Sequence, residues 1–454
     1  IKLRNRLEKT VSSKSKIKEP GKQLKKVKRL RRLVTAIEII FGVLLISAAV
    51  VLFVPGAKTE LIKGMAGTTI GQKIISMFGS KAYAQSVFDE NFDTNKLKTN
   101  ELKYNYSEEY TNFVMFGVDS REGEVDASNS DSILIVSIHN TTGEVKMVSV
   151  YRDTMLGICD ATGTINKYFK VNSSYAGGGP EAAINTLNLN LDLDLKDYVT
   201  VNFSGVADII DKLGGITVNL TDDEKSQLNY HLGSTISSTG KYAPKIKKSG
   251  KNIRLNGIQA TTYCRIRKAT FYDPETGDSV SNDFGRAARQ RSVIMKLVEK
   301  AKKASVSELQ GMVQTVMKDN KKKDRIISTS FTFDEIVNLL PIIFDFKLSG
   351  SQGFPSQLTT GTFNNVSLVV ANGLSKNVSK LHEYLYGEKN YEPTANVHSV
   401  DSAVANQTGI SESSAGYDPI ESGKKNKQDE ETATSKPIDD TDYDYDDKGK
   451  SEYY

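Results

Sequence analysis

The chain has 454 residues, 38% hydrophobic and 25% charged, which excludes a wholly disordered protein and a polytopic membrane protein. Two cysteines, Cys159 and Cys264, exclude a disulfide-rich scaffold, and the lack of a C-x-x-C pair argues against structural zinc. The net charge of +5 is a balance: residues 1–32 carry 14 Lys and Arg against Glu8 and Glu19, while residues 401–454 carry 14 Asp and Glu against six Lys.

Residues 33–54, LVTAIEIIFGVLLISAAVVLFV, hold Glu38 as their only charge. At about 1.5 Å per residue the run reaches roughly 33 Å, enough for one transmembrane helix. It is longer than the apolar part of a signal peptide, and the basic arm before it supplies no folded partner for a buried helix. Lys22, Lys25, Lys26, Lys28, Arg29, Arg31 and Arg32 beside the span place residues 1–32 in the cytoplasm and everything after the span outside the cell. An arm with no fold of its own, set against a membrane, fits attraction to anionic lipid and no nucleic-acid partner.

Residues 55–109 read as an extracellular stalk with one or two short helices. Regular patterns begin near Tyr110. The runs NFVMFGV (112–118), SILIVSI (132–138) and EVKMVSVY (144–151) predict strands, the last two joined as a hairpin by the turn Asn140-Thr141-Thr142-Gly143. A glycine-rich loop, Gly177 to Pro180, precedes a helix over 181–189. A strand at 197–203, a helix at 205–215 closed by glycines and a strand at 216–220 follow. Residues 221–250 are polar and predict a long loop. A long helix covers roughly 284–302, strands fall at 326–331 and 366–371, and helices near 333–341 and 376–386. This alternation predicts an α/β domain over 110–400 with a central sheet flanked by helices. Residues 401–454, poor in large aliphatics, predict a disordered acidic tail.

The charged residues group where strands end. Asp119 and Arg121 follow the first strand in GVDSR, Asp131 opens the second in SNSDS, and Arg152 and Asp153 close the third in VSVYRDT. Strand ends are where ligands bind in α/β sheets. Asp119 and Asp131, with no His or Cys beside them, suit a hard cation such as Mg²⁺, which in turn brings phosphate. Arg265 and Arg267 (CRIRK) form a second set, and the run DFGRAARQR, with Asp283, Arg286, Arg289, Gln290 and Arg291, a third. On a helix Arg286, Arg289 and Gln290 share a face, and arginine is the side chain for bidentate phosphate contacts. Lys170, beside the glycine-rich loop, adds another cation. For any one of these arginines a solvated face with surface ion pairs competes with the ligand reading. No G-x-S-x-G elbow or phosphate-loop signature occurs, and His139, His231, His382 and His398 are widely separated. Cys159 and Cys264 could pair outside the cell or remain as buried thiols.

The stretches NFVMFGVDSREG, SDSILIVSIHNTTGEVKMVSVYRDTML, KVNSSYAGGGP, LNGIQATTYCRIRK and SNDFGRAARQR, in this order and spacing, resemble the LytR-CpsA-Psr (LCP) family of cell-envelope proteins. The resemblance covers roughly 110–300, and NVSKLHEYLYGEKNYEP resembles the end of the same domain. It implies a Gram-positive, membrane-anchored, extracellular, Mg²⁺-dependent phosphotransferase. Such an enzyme moves a glycopolymer (teichoic acid, capsule or a related wall polymer) from a polyprenyl-pyrophosphate carrier to peptidoglycan. Carried over residue by residue, Asp119 and Asp131 resemble the Mg²⁺ ligands. Arg121, Arg152, Arg265, Arg267, Arg286 and Gln290 resemble the pyrophosphate-binding set, with Lys170 and Arg289 beside them. Asp153 and Asp283 are candidates for the base by position alone. One departure is Tyr151, where the family often has proline. A membrane-anchored regulator and a polyprenyl-pyrophosphate hydrolase or binder remain as alternatives.

Overall fold

In the computed structural model the described residues are 89, 91–118, 128–273, 278–301, 303, 327–331 and 347–419. The basic arm, the apolar run 33–54, most of the stalk, Asp119, Arg121 and the helix expected near 333–341 lie outside them. Among the described residues no helix is long and apolar enough to cross a membrane.

The three apolar runs read from the sequence form strands β1 (Tyr110–Val118), β2 (Ser130–His139) and β3 (Glu144–Val150), with the expected β2–β3 hairpin. A second hairpin follows, β4 (Met155–Cys159) and β5 (Ile165–Lys170). Next come helix α1 (Ser173–Leu191), strand β6 (Asp197–Asn202), helix α2 (Phe203–Lys212) and strand β7 (Ile216–Leu220). Helix α3 (Asp222–Thr239) leads to strand β8 (Gly250–Leu255) and the short helix α4 (Gly257–Tyr263). The small strands β9 (Phe271–Tyr272) and β10 (Ser279–Val280) precede helix α5 (Asn282–Ala301). The last elements are β11 (Ile327–Thr329), β12 (Lys347–Phe354), β13 (Leu358–Phe363), β14 (Val366–Ala371), α6 (Leu374–Tyr386) and α7 (Ala395–Thr408).

The main sheet is mixed, in the order β11-β6-β1-β2-β3-β12, with β1 parallel to β6 and β3 parallel to β12. On β1, Val114, Phe116 and Val118 join the core under α1, α6 and α7, while the alternate residues Phe113 and Met115 are also buried. Both sheet faces are therefore covered, as the unbroken apolar runs demand. The α/β architecture with a central sheet flanked by helices is as read from the sequence.

Four segments depart from the sequence reading. Residues 221–250 are not a long loop: α3 starts with a capping box in which the Thr221 side chain accepts from Glu224 N–H and the Glu224 carboxylate accepts from Thr221 N–H. Its polar composition hid a narrow buried stripe of Glu224, Leu228, Leu232 and Thr235. The folded unit also runs past residue 400. Helix α7 buries Val397, Val400 and Val404 on the core, and Tyr417 exchanges backbone hydrogen bonds of 3.0 and 3.1 Å with Leu358. Asp401 caps α6, accepting from Leu374 N–H and Ser375 N–H. The end of the stalk is docked rather than free. Phe92 and Leu97 pack on the core, and the Asn100 amide donates to Asp192 at 2.6 Å. Helix α1 begins earlier than expected, at Ser173, and is broken at Gly178 and Gly179 (φ +68°) before Pro180 restarts it.

Gly257, at the start of α4, abuts the Ala207 carbonyl of α2 so closely that a Cβ would overlap it. Gly257→Ala should therefore force α4 off α2 and cost about 1–3 kcal/mol, read from the midpoint of denaturant unfolding. Cys159 and Cys264 are free buried thiols, pushed by burial up to about 11 and about 12.

His382 is fully buried beneath Tyr391, their rings stacked 3.7 Å apart, with Nε2 3.0 Å from the Leu191 carbonyl. Burial pushes its pKa down from 6.5 to about 4, a shift only partly offset by the Leu191 bond. The unfolded chain thus takes up this proton first as pH falls. Stability is full above pH 6.5 and declines towards pH 4, by up to about 3 kcal/mol. His382→Phe keeps the stacking and should flatten this slope in thermal unfolding between the two pH values; an unchanged slope would place the acid sensitivity elsewhere.

Candidate active site

The strands bring their charged ends to one edge of the sheet. Because β1, β3, β6 and β12 run the same way, Val118, Val150, Asn202 and Phe354 end together there. Asp131 lies beside them for a local reason. Gly117 pairs with Ser132 and Val118 with Ser130, so Asp131 is the extra residue of a β-bulge. A bulge re-aims the side chain it carries. The turn after β3 is pinned on several sides: Tyr151 N–H donates to Phe354 O (3.0 Å), Val369 N–H to Asp153 O (2.9 Å) and Asn172 N–H to Arg152 O (3.2 Å). This fixes Arg152 and Asp153 against β12, β14 and the start of α1.

Around this turn the side chains form one ion-pair cluster. Arg152 Nη1 donates to Asp131 Oδ1 at 2.5 Å, and its Nε lies 3.6 Å from Asp153 and 3.8 Å from Asp283. Lys170, the last residue of β5, reaches Asp153 Oδ1 at 2.9 Å. Asp283, in the first turn of α5, also holds Arg286 at 2.9 Å and Arg267 at 3.3 Å. A second Arg286 bond runs to the Asp131 carbonyl at 3.2 Å, closing the ring of contacts. Arg152, Lys170, Arg267 and Arg286 thus face Asp131, Asp153 and Asp283, one cation in excess.

The start of α5 is held by a close approach. A Cβ on Gly285 would lie 2.5 Å from the Val280 carbonyl, so glycine lets the first turn press on β10 and presents Asp283 and Arg286 to the cluster. Burial lowers the Arg286 pKa to about 10, with Asp283 opposing the shift. For Arg152 the balance reverses: burial pulls the pKa down, but Asp131, Asp283 and Asp153 together hold it above its ordinary value. Among the described residues, Nε of both Arg152 and Arg286 is buried without a hydrogen-bond acceptor. Buried guanidinium nitrogens left open in a cationic cluster are suited to an anion with several oxygens, such as phosphate or pyrophosphate.

The other sequence candidates take different places. Arg289 is wholly buried and committed: Nε donates to Glu224 (2.9 Å), Nη1 to Ile266 O (3.2 Å) and Nη2 to Ala269 O (2.7 Å). It ties α5 to α3 and the 264–269 turn instead of facing the ion-pair cluster. Its partner Glu224 escaped the sequence reading, although the T-D-D-E capping signature marks it. Arg265 donates to Thr235 Oγ1 at 3.0 Å and lies over the Phe203 ring at 5.2 Å. The Gln290 amide reaches the Cys264 carbonyl at 3.4 Å.

Among the described residues no group of three or more His, Cys, Asp or Glu is arranged to hold a metal ion. Asp131 spends Oδ1 on Arg152 and leaves Oδ2 without a hydrogen bond to the described residues. One free carboxylate oxygen beside an anion site fits Mg²⁺, which takes one or two carboxylates and fills its shell with water and phosphate oxygens.

A profile of the LytR_cpsA_psr family matches residues 76–350. The chain is similar to polyisoprenyl-teichoic acid–peptidoglycan teichoic acid transferase TagU of Bacillus subtilis (strain 168), 32% identical over 258 residues, or 57% of this chain and 71% of that protein. The TagU of Bacillus licheniformis is 32% identical over 248 residues, or 54% and 68%. Among solved structures, protein gbs0355 of Streptococcus agalactiae aligns with a TM-score of 0.49 at 23% identity, covering 63% of this chain and 90% of that one. Bacillus subtilis TagV aligns with a TM-score of 0.46 at 24% identity, covering 63% and 99%.

Proposed function

The chain belongs to the LytR-CpsA-Psr family, and from that premise we propose that it is a glycopolymer phosphotransferase. It would take an anionic polymer, a teichoic acid or a related wall polymer, from a polyprenyl-pyrophosphate carrier and join it to a sugar hydroxyl of peptidoglycan. Residues 33–54 would anchor it in the cell membrane, with residues 1–32 in the cytoplasm and the catalytic domain outside. The names of its TagU relatives support the reaction class. The observation that carries the reading to this site is the pair of open guanidinium nitrogens on Arg152 and Arg286, inside a cluster with one cation in excess.

In this reading Arg152, Arg267, Arg286 and Lys170 grip the pyrophosphate, and Arg121 belongs with them by sequence position. Asp283 is a positioning residue, in contact with three guanidiniums. Asp131 and Asp119 would hold Mg²⁺, which when bound neutralises phosphate charge. The acceptor hydroxyl attacks the phosphorus nearest the polymer. A new O–P bond forms, the P–O bond to the bridging oxygen breaks, and polyprenyl phosphate leaves. Arginines already in place stabilise the charge that grows on the leaving phosphate. The hydroxyl proton passes to Asp153, which touches Lys170 and one guanidinium, whereas Asp283 is held among three.

The test uses the full chain in detergent with a polyprenyl-pyrophosphate-linked oligosaccharide, Mg²⁺ and peptidoglycan fragments. Mass spectrometry should find a phosphodiester-linked product that disappears in Arg286→Ala. Release of polyprenyl phosphate without the adduct would make the protein a hydrolase. Tight lipid binding with neither product would leave a binding or regulatory role.

A further inference from the structure

Helix α5 has two chemically different sides. Arg286, Gln290, Val293 and Leu297 recur on one of them; Ala288, Arg291, Met295 and Glu299 fall on the reverse. The reverse side lines an open-mouthed cavity of about 670 Å³, walled also by the first residues of β12 and by β7, β9 and β10. A cavity this size is far larger than one ion needs and lies in the range of ligand sites.

Arg291 is set into its wall. The residue is 6% exposed, and Nε and Nη1 are buried with no hydrogen-bond partner. Arg289, two residues earlier on the same helix, shows how this fold satisfies a structural arginine, with all three nitrogens bonded. An open guanidinium costs stability unless something fills it. Tyr384 Oη is likewise buried and unpartnered, and it lies 2.8 Å from where a Cβ on Gly350, a lining residue, would stand. Lys296 and Lys347 line the same cavity and extend the positive charge beyond Arg291. Asp273, Asp278 and Glu299 line it too, and none of the three is free; Asp273 acts electrostatically on Arg291 itself, so the lysines are needed to leave the wall net positive.

We propose that this cavity is a second anion site, in which Arg291 binds a phosphate of a glycerol-phosphate or sugar-phosphate repeat. The inference rests on the transferase reading: the transferred end of the polymer occupies the strand-end cluster, and a more distant repeat occupies this cavity across α5. A guanidinium fork suits phosphate and carboxylate alike. Lysines spread beyond the fork favour a repeating phosphodiester over a single carboxylate.

Calorimetric titration of the full chain in detergent, at fixed moderate salt, tests this. The probes are a short glycerol-phosphate oligomer, free of lipid and pyrophosphate, and N-acetylmuramyl dipeptide as a carboxylate. The oligomer should bind the wild type and Arg152→Ala alike. Arg291→Gln should weaken it on the order of tenfold or more. Lys347→Glu changes an exposed side chain and should weaken binding several-fold. Unchanged binding in both variants would overturn the proposal, as would loss in Arg152→Ala alone, which would move the oligomer to the strand-end cluster. Stronger binding of the dipeptide, lost in Arg291→Gln, would give the cavity to the acceptor instead. The transfer assay is read separately. If the wild type binds the oligomer through Arg291 but makes no phosphodiester product, the transferase reading fails and the anion site stands.

Discussion

Arg152→Ala should reduce the initial rate of phosphodiester formation by about 10²–10³-fold, the usual loss when one preorganised charge donor is removed. Arg152 is the hub of the cluster. It holds the bulged Asp131 and touches Asp153 and Asp283, and its Nε, buried between those two carboxylates, makes no hydrogen bond to the described residues. Removing it also turns the excess of one cation into three cations against three carboxylates, so affinity for the pyrophosphate falls along with the rate. Arg152→Lys keeps the charge but not the planar fork, and should recover only a small part of the loss. The measurement is product formation by mass spectrometry beside thermal unfolding, since a residue that serves binding and chemistry should leave the melting temperature nearly unchanged. An alanine variant within a few-fold of wild type would remove Arg152 from the mechanism.

Arg289→Ala should do the opposite, damaging the fold before any chemistry is reached. The guanidinium is fully buried against Glu224, 2.9 Å away, with the rings of Tyr263 and Phe271 within 6 Å. Alanine would strand a buried carboxylate that also caps α3 and accepts from Tyr263. Breaking one side of such a pair costs about 3–5 kcal/mol. The expected result is a large fall in melting temperature or loss of soluble protein. Replacing both partners, Arg289→Met with Glu224→Leu, should restore much of that stability. If the single alanine variant melts as the wild type does, the ion pair is not a structural tie.

The contrast between these two arginines shows what could be read in advance. The strand runs 112–118, 132–138 and 144–151 were legible because both of their faces are buried, and the charges that follow such strands stand out against them. Asp131, Arg152 and Asp153 were therefore visible as one group, whereas Asp283 stood apart in the run DFGRAARQR. Which helix arginine turns inward was not visible. Arg286 and Arg289 sit three residues apart on one face, and only the arrival of Glu224 from α3 separates their roles. Helix α3 was itself hidden by a polar composition whose buried stripe is one residue wide. The bulge at Asp131 depends on how β2 registers against β1, a pairing that no local pattern states. Helix α7 carried a readable period at Val397, Val400 and Val404, masked by small and polar neighbours and by the acidic stretch beyond it.

The pinning of the turn after β3 governs when this site can exist. The backbone of Arg152 and Asp153 is held by Phe354 on β12 and Val369 on β14, about two hundred residues further along the chain. Such long-range closures form late, because their loop entropy must be met before their contacts count. A chain emerging from its amino end would carry Arg152 and Asp153 long before it could fix them. Removing β12 (Lys347–Phe354) would take away part of the wall that holds the turn while leaving every charged residue of the strand-end cluster in the sequence. Competence at this site is a property of the completed domain, set by the arrival of its last strands.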